Sequence, residues 1–229
     1  MDIFTDASLN DHKKIAGVSA IFVPTPKRPE IISYNTYCFM DNIETAELFA
    51  ISIALNMVRR SKPDSVRIIS DSVGALKKIQ RIFHHPNQTQ IQTIDDLMQK
   101  RILYNMSASF TNMRNTSFTF YHVHGHQRKA SEFTDGYYNM IADQEADSGR
   151  IKGETVRLRE ERCKASFGGL LSAEEETLLA QQECMIVSPH KISFYYEDSE
   201  PKPKLVRSAA KRTKGVCPRR DKQNYSRNR

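Results

Sequence analysis

The spacing of apolar residues changes several times along the chain, and each change predicts a different element. Three β-rich runs come first, at Asp2–Ser8, Ile15–Val23 and Ile31–Met40. Short polar or Pro-rich segments separate them, which predicts three strands in an antiparallel meander. From Glu44 to Arg60 the apolar residues recur at three- and four-residue spacing, and this period predicts a helix with one buried face.

The segments that follow alternate between helix and strand patterns. Strands are predicted at Val66–Ser70 and Ser117–Val123, and helices at Val73–Phe83, Ile91–Tyr104 and Phe133–Gly149. Three antiparallel strands followed by two crossover connections predict an α/β fold, a five-stranded mixed sheet flanked by helices. Beyond residue 150 the pattern weakens, and only a helix start near Ser172 is recognisable, because three glutamates follow it closely.

Charge divides the chain unevenly. The whole chain carries +7, but residues 201–229 hold eleven Lys or Arg against one acid, whereas the first 200 residues hold 23 basic and 26 acidic residues. We therefore predict a domain at 1–150, a partly helical extension without further assignment at 151–200, and a disordered basic tail at 201–229. Such a tail is attracted to polyanions, with nucleic acid first among them, and a solvated or nuclear-import tail is the alternative.

Composition argues against a membrane or secreted protein. No run of about 18 apolar residues occurs, and no basic and apolar leader precedes the first strand. The four cysteines are scattered without a CxxC pair, which favours reduced thiols in an intracellular protein, cytoplasmic or nuclear. A zinc site from Cys163, Cys184, His190 and Cys217 lacks the usual ligand spacing.

Four acids stand at informative positions: Asp6, Glu47, Asp71 and Asp143. Asp6 closes the first predicted strand and Asp71 follows the fourth, so these side chains meet if the two strands are parallel neighbours. Clustered carboxylates cannot all stay ionised without a cation, which predicts a bound metal. Oxygen ligands favour Mg²⁺, with Mn²⁺ as a substitute, over zinc.

Simpler explanations exist for each of these features. Asp6 suits an Asx turn, Glu47 suits the first turn of a helix, and Asp143 suits a solvated helix face. His122, His124 and His126 alternate as strand residues do, so a soft-metal cluster is a further alternative.

Four short segments resemble, in order, the motifs of type 1 ribonuclease H, particularly those of the RNase H domains of non-LTR retroelements. The segments are FTDAS, ETAELFAISIAL, IISDSVGALKKI and HVHGHQ…NMIADQEAD. Each is short, but all four occur in the right order on the expected elements. The resemblance implies an RNase H-like fold and a metal set made of Asp6, Glu47, Asp71 and Asp143.

The resemblance also implies an activity, the cleavage of the RNA strand of RNA–DNA hybrids to leave 5′-phosphate and 3′-hydroxyl ends. Two metal ions would activate water and relieve charge on the leaving oxygen. By analogy, Asp6 bridges the ions, with Asp71 and Asp143 completing one site. Glu47 completes the other and can accept a hydrogen bond from a ribose 2′-hydroxyl. His126 matches the mobile-loop histidine of the family and is expected to assist proton transfer or product departure.

Five residues are expected to contact the substrate: Ser8, Asn42, Asn139, Arg128 and Lys129. Ser8 is small enough to leave room for a nucleic-acid backbone, and Asn42 is the only remnant of the Asn-rich segment that the family often has. The chain contains no Trp and shows no aromatic, basic handle between residues 84 and 116. Arg128, Lys129 and the tail are therefore expected to compensate through phosphate contacts.

Two other functions remain open on the sequence alone. A transposase, integrase or junction resolvase of the same superfamily would act on DNA, although the HGH…N…AD ending favours ribonuclease H. A non-catalytic scaffold in a viral or retroelement assembly is the second, although such a scaffold has no need of four costly carboxylates. A reverse transcriptase or a replication protein is the expected kind of partner.

Overall fold

The computed structural model describes residues 1–23, 31–59, 61–83, 91, 93–125, 131, 134–160 and 191–196. Its elements in these ranges are β1 (Asp2–Asn10), β2 (Ile15–Val23), β3 (Ile32–Phe39), α1 (Ile43–Val58), β4 (Ser65–Ser70), α2 (Val73–Phe83), α3 (Leu97–Asn112), β5 (Ser117–His122), α4 (Asp135–Glu160) and β6 (Lys191–Tyr196). The strands form one sheet in the order β3-β2-β1-β4-β5-β6. None of the helices described here has the length and apolar character needed to cross a membrane.

β1 lies inside the sheet because apolar side chains cover both of its faces. Ile3 belongs to a core cluster shared with α1, α2 and α3, whereas Phe4 belongs to a second cluster shared with α4. β1 pairs antiparallel with β2 and parallel with β4, where Phe4 lies opposite Ile69. The predicted mixed α/β sheet and the parallel pairing of the first and fourth strands are therefore confirmed.

The sheet has six strands in the described residues, one more than the sequence predicted. β6 pairs parallel with β5, and the ring of Phe194 stacks on that of Phe120 at 5.1 Å. Non-local pairing defines this strand, so its short local pattern did not reveal it. The predicted boundaries at residues 150 and 200 stay predictions, although α4 crosses residue 150 without a break. The tail and the predicted helix start near Ser172 lie outside the described residues.

Two further elements, α3 and β1, have boundaries that differ from the prediction. α3 begins at Leu97 rather than Ile91, because Asp96 caps it by accepting a hydrogen bond from the Gln99 backbone N–H at 3.1 Å. It also continues past the predicted end at Tyr104, since the buried Met106 and Phe110 extend its apolar face. β1 in turn runs past Asp6 to Asn10, because its antiparallel ladder with β2 continues to the hairpin.

α4 approaches β2 and β3 so closely that a side chain does not fit between them. A Cβ on Gly17 would lie 1.9 Å from the Ala146 carbonyl oxygen, and one on Gly149 would lie 2.5 Å from the Thr36 carbonyl oxygen. One turn before Ala146 on α4, the Ser19 hydroxyl donates to the Ala142 carbonyl at 2.7 Å. The glycines therefore fix the height of α4 above the sheet.

We expect Gly17→Ala to destabilise the protein by about 3 kcal/mol, because the obstructing atoms belong to the backbone and cannot rotate away. Urea unfolding followed by circular dichroism measures this loss. Gly74→Ala is the matched control, since its Cβ would meet only the Glu44 side chain at 3.4 Å. We expect the control to stay within about 1 kcal/mol of the wild type. Equal stability of the two variants would contradict the proposed contact.

Candidate active site

Three carboxylates from three different elements converge where β4 ends. Asp6 lies on β1, Glu47 on α1, and Asp71 directly after β4. One oxygen from each lies within 4.8 Å of the others. Pairing between β1 and β4 stops at Phe4, so β1 continues past the end of its neighbour and leaves Asp6 beside Asp71. The topology thus brings together acids that are far apart in sequence.

Burial makes this cluster electrostatically costly. Asp6 is 4% exposed and Glu47 is 5% exposed. Burial, and then the charges of Glu47, Asp71 and Asp143, raise the pKa of Asp6 well above its ordinary value. Burial and the charge of Asp71 likewise raise the pKa of Glu47, although the Ala7 backbone N–H opposes the shift at both carboxyls. The ionised cluster therefore requires positive charge.

Glu47 supplies direct support for a cation. Its Oε2 is buried and has no hydrogen-bond partner among the described residues. A buried carboxylate oxygen without a partner is costly in a protein interior. An all-oxygen donor set with such an atom fits a hard divalent cation, so these residues suit the metal predicted from the sequence.

Two further predicted site residues, Asp143 and Asn139, lie on α4. The charge of Asp143 raises the pKa of both Asp6 and Glu47, although Asp143 is partly exposed and is not among the three converging carboxylates. Asn139 lies four residues earlier, about one helical turn, and is 2% exposed. Its Oδ1 is buried without a hydrogen-bond partner among the described residues. Residues four apart share a helix face, so Asn139 lies on the same face of α4 as Asp143.

Two of the predicted substrate contacts have partners inside the protein. The Ser8 hydroxyl donates to Asp147 Oδ1 at 2.5 Å and accepts from Arg150 Nε at 2.9 Å. Asn42 caps α1, because its Oδ1 accepts from the Thr45 backbone N–H at 2.8 Å. The predicted substrate roles of both residues stay predictions.

The predicted residues of the histidine loop lie outside the described residues. These are His126, Arg128 and Lys129, and their roles stay predictions. Immediately before them, the rings of His122 and His124 meet edge to face at 5.6 Å. Among the described residues, neither histidine joins a group of three metal-ligating side chains.

A polar network around Thr45 of α1 was not predicted from the sequence. Gln99 Nε2 donates to Thr45 Oγ1 at 2.8 Å, and Lys78 Nζ donates to Gln99 Oε1 at 2.6 Å. The Thr45 hydroxyl also donates to Asp96 Oδ2 at 3.2 Å. These contacts join α1, α2 and α3 two residues before Glu47. No local pattern predicts them, because the partners are tens of residues apart in sequence.

The similarity to known proteins agrees with this architecture. A family model described as RNase H matches residues 1–151 of the 229-residue chain. The chain belongs to the RNase H family. The matched residues, 1–151, are called its RNase H domain. Solved structures with TM-scores above 0.5 share the fold of this chain. No curated protein matches the chain significantly.

The RNase H domain is similar to several solved structures. The protease–reverse transcriptase of Prototype Foamy Virus aligns with a TM-score of 0.55 and 17% identity, over 65% of this chain and 20% of that chain. The PFV RNase H domain aligns with a TM-score of 0.51 and 15% identity, over 66% of this chain and 93% of that chain. RNase H1 from the archaeon Halobacterium salinarum aligns with a TM-score of 0.44 and 16% identity, over 65% and 95%. For the two structures with TM-scores above 0.5 the sequence identities are low, so the likeness concerns the fold alone.

We expect the metal-free domain to lose stability as pH rises above about 4, the ordinary carboxyl pKa of an unfolded chain. Between that value and the raised pKa of Asp6 and Glu47, the folded protein binds more protons than the unfolded chain. The unfolding free energy therefore falls with pH, by up to about 1.4 kcal/mol per unit for each proton. Asp6→Asn removes one buried carboxylate and should flatten this slope.

Urea unfolding in EDTA at a series of pH values measures the slope. Asp11→Asn is the matched control, because this acid is exposed in the turn between β1 and β2. The control should keep the slope of the wild type. An unchanged slope in Asp6→Asn would show that Asp6 does not carry the effect.

Proposed function

We propose that this RNase H domain is a metal-dependent endonuclease that hydrolyses the RNA strand of RNA–DNA hybrids. Membership of the RNase H family suggests ribonuclease activity. The observation that carries the proposal is the cluster of Asp6, Glu47 and Asp71, in which Asp6 and Glu47 are buried and one Glu47 oxygen has no hydrogen-bond partner among the described residues. A fold that keeps such a cluster sustains a large electrostatic cost, which a bound divalent cation would offset.

The residues that would hold the metal are Asp6, Glu47 and Asp71, with Asp143 beside them. Their oxygen atoms suit Mg²⁺, and Mn²⁺ would be accepted in its place. When two such ions are bound, they lower the pKa of water and stabilise the leaving oxygen of a phosphodiester. The proposed products carry 5′-phosphate and 3′-hydroxyl ends.

The side chains of this chain would fix the substrate around that centre. Glu47, the member of the carboxylate cluster that α1 carries, is proposed to accept a hydrogen bond from a ribose 2′-hydroxyl, the group that distinguishes RNA from DNA. Asn139 is favoured as a substrate contact, since its buried amide oxygen has no partner among the described residues. His126 is proposed to move a proton at the scissile phosphate or to assist product departure.

Contacts to the phosphate backbone would add affinity without sequence preference. We propose Arg128, Lys129 and the tail at 201–229 for this role, because the tail holds eleven Lys or Arg and one acid. Ser8 and Asn42 would act mainly through the intramolecular bonds that they make. A reverse transcriptase or a replication protein is the proposed partner class, and one structure with the same fold belongs to a protease–reverse transcriptase.

Cleavage assays with labelled RNA–DNA hybrid, duplex DNA and duplex RNA test the proposal. We expect the wild type with Mg²⁺ to cut only the RNA strand of the hybrid, and EDTA to abolish the cut. Asp6→Asn and Asp71→Asn should lose at least about 100-fold in kcat, since each removes a carboxylate from the charge-stabilising site. Asp11→Asn, whose acid is exposed and lies outside the cluster, should keep full activity.

The other outcomes distinguish the alternatives. Cutting of duplex DNA would assign the same fold to a DNA-directed nuclease. Absence of cutting on all three substrates would refute the proposal and favour a non-catalytic scaffold.

A further inference from the structure

Gly125 lies against one of the three clustered carboxylates. It follows β5 in a short segment that runs beside the end of β4, where the Val123 backbone N–H donates to the Ser70 carbonyl at 3.2 Å. A Cβ on Gly125 would lie 2.1 Å from Asp71 Oδ2, 3.0 Å from its Cγ and 3.2 Å from its Cβ. The carboxylate of Asp71 thus occupies the space that any other residue at position 125 would fill.

The backbone conformation does not explain this glycine. None of the described glycines has a positive φ, so the conformation of residue 125 is open to other residues. The requirement for glycine comes instead from the contact with Asp71. It is a constraint of space imposed by a side chain of the candidate active site.

The kind of obstacle predicts what a substitution would do. At Gly17 the nearest atoms are backbone atoms of α4, which move only with the helix. At Gly125 they all belong to the side chain of Asp71, which can rotate about its χ angles at small cost. A methyl group at position 125 would therefore leave the fold intact while it turned the carboxylate away from Asp6 and Glu47.

We propose that Gly125 is a positioning residue, whose missing side chain lets the Asp71 carboxylate stand in the cluster with Asp6 and Glu47. This inference rests on the proposed function in so far as the cluster binds a divalent cation. It adds a residue outside the four acids to the determinants of metal affinity. It also places the chain immediately before the His126 loop in contact with that metal site.

Gly125→Ala tests the proposal through metal binding. Isothermal titration of metal-free protein with Mn²⁺ should show affinity weaker by about 10-fold to 100-fold, the range for residues that orient metal ligands. The unfolding free energy in EDTA should change by less than about 1 kcal/mol, because only the partly exposed side chain of Asp71 has to turn. On RNA–DNA hybrid, kcat should fall while KM for the hybrid stays unchanged.

Gly74→Ala is the matched control, because it adds the same methyl group near the same edge of the sheet without reaching a clustered acid. It should bind Mn²⁺ like the wild type. Wild-type Mn²⁺ affinity in Gly125→Ala, or a loss of stability as large as that of Gly17→Ala, would overturn the proposal. So would a wild-type protein that binds no Mn²⁺. If the wild type binds Mn²⁺ but cuts no hybrid, only the proposed function is refuted. The difference in Mn²⁺ affinity between the wild type and Gly125→Ala would still decide the role of Gly125.

Discussion

Repulsion among buried carboxylates is the constraint on which this structure depends. Asp6, Glu47 and Asp71 place one oxygen each within 4.8 Å of the others, in a region where Asp6 and Glu47 are almost fully buried. Charges in a protein interior are poorly screened because little water reaches them. Without a cation, the three acids would therefore tend to move apart or to take up protons. The sheet limits the first response to rotation of the side chains, because the parallel pairing of β1 with β4 holds the backbone at Asp6 close to the backbone at Asp71. The protein thus holds negative charge in a position that favours cation binding.

The elements around the cluster are anchored on several sides. Arg67 of β4 pairs with Asp135 at the start of α4 at 2.9 Å, and also with Asp2 at 2.7 Å. Near the other end of α4, Glu154 pairs with Arg150 at 2.7 Å and with Lys13 at 2.6 Å. Partly exposed pairs of this kind each contribute about 1 kcal/mol or less. Their positions matter more than their energies. Together with the contacts of Gly17 and Gly149, these ion pairs hold α4 in place on both sides of Asp143.

Local patterns predicted most of the fold and the principal acids. The switch from alternating to helical spacing located β1, β4 and α1, and these three elements carry the clustered carboxylates. The four motifs added the order and spacing of the acids, which no single element reveals. Asn42 was predicted only as a substrate contact, although a local rule was available for its structural role, because asparagine is a common helix cap.

The features that sequence did not predict depend on contacts between distant segments. β6 exists through its ladder with β5, and the Thr45, Gln99 and Lys78 network joins three helices. The role of Gly125 follows from the position of Asp71, which lies 54 residues earlier in the numbering. Each of these is defined by a partner in space, so the residue type alone carries no signal for it.

The central claim is that Asp6, Glu47 and Asp71 form a divalent cation site. Anomalous diffraction from crystals of the protein grown with Mn²⁺ tests it most directly, because the metal is located without reference to activity. The account predicts a strong peak in contact with the carboxylates of Asp6 and Asp71 and with Oε2 of Glu47. A map with no peak at this cluster, in crystals that contain Mn²⁺ at a saturating concentration, would contradict it.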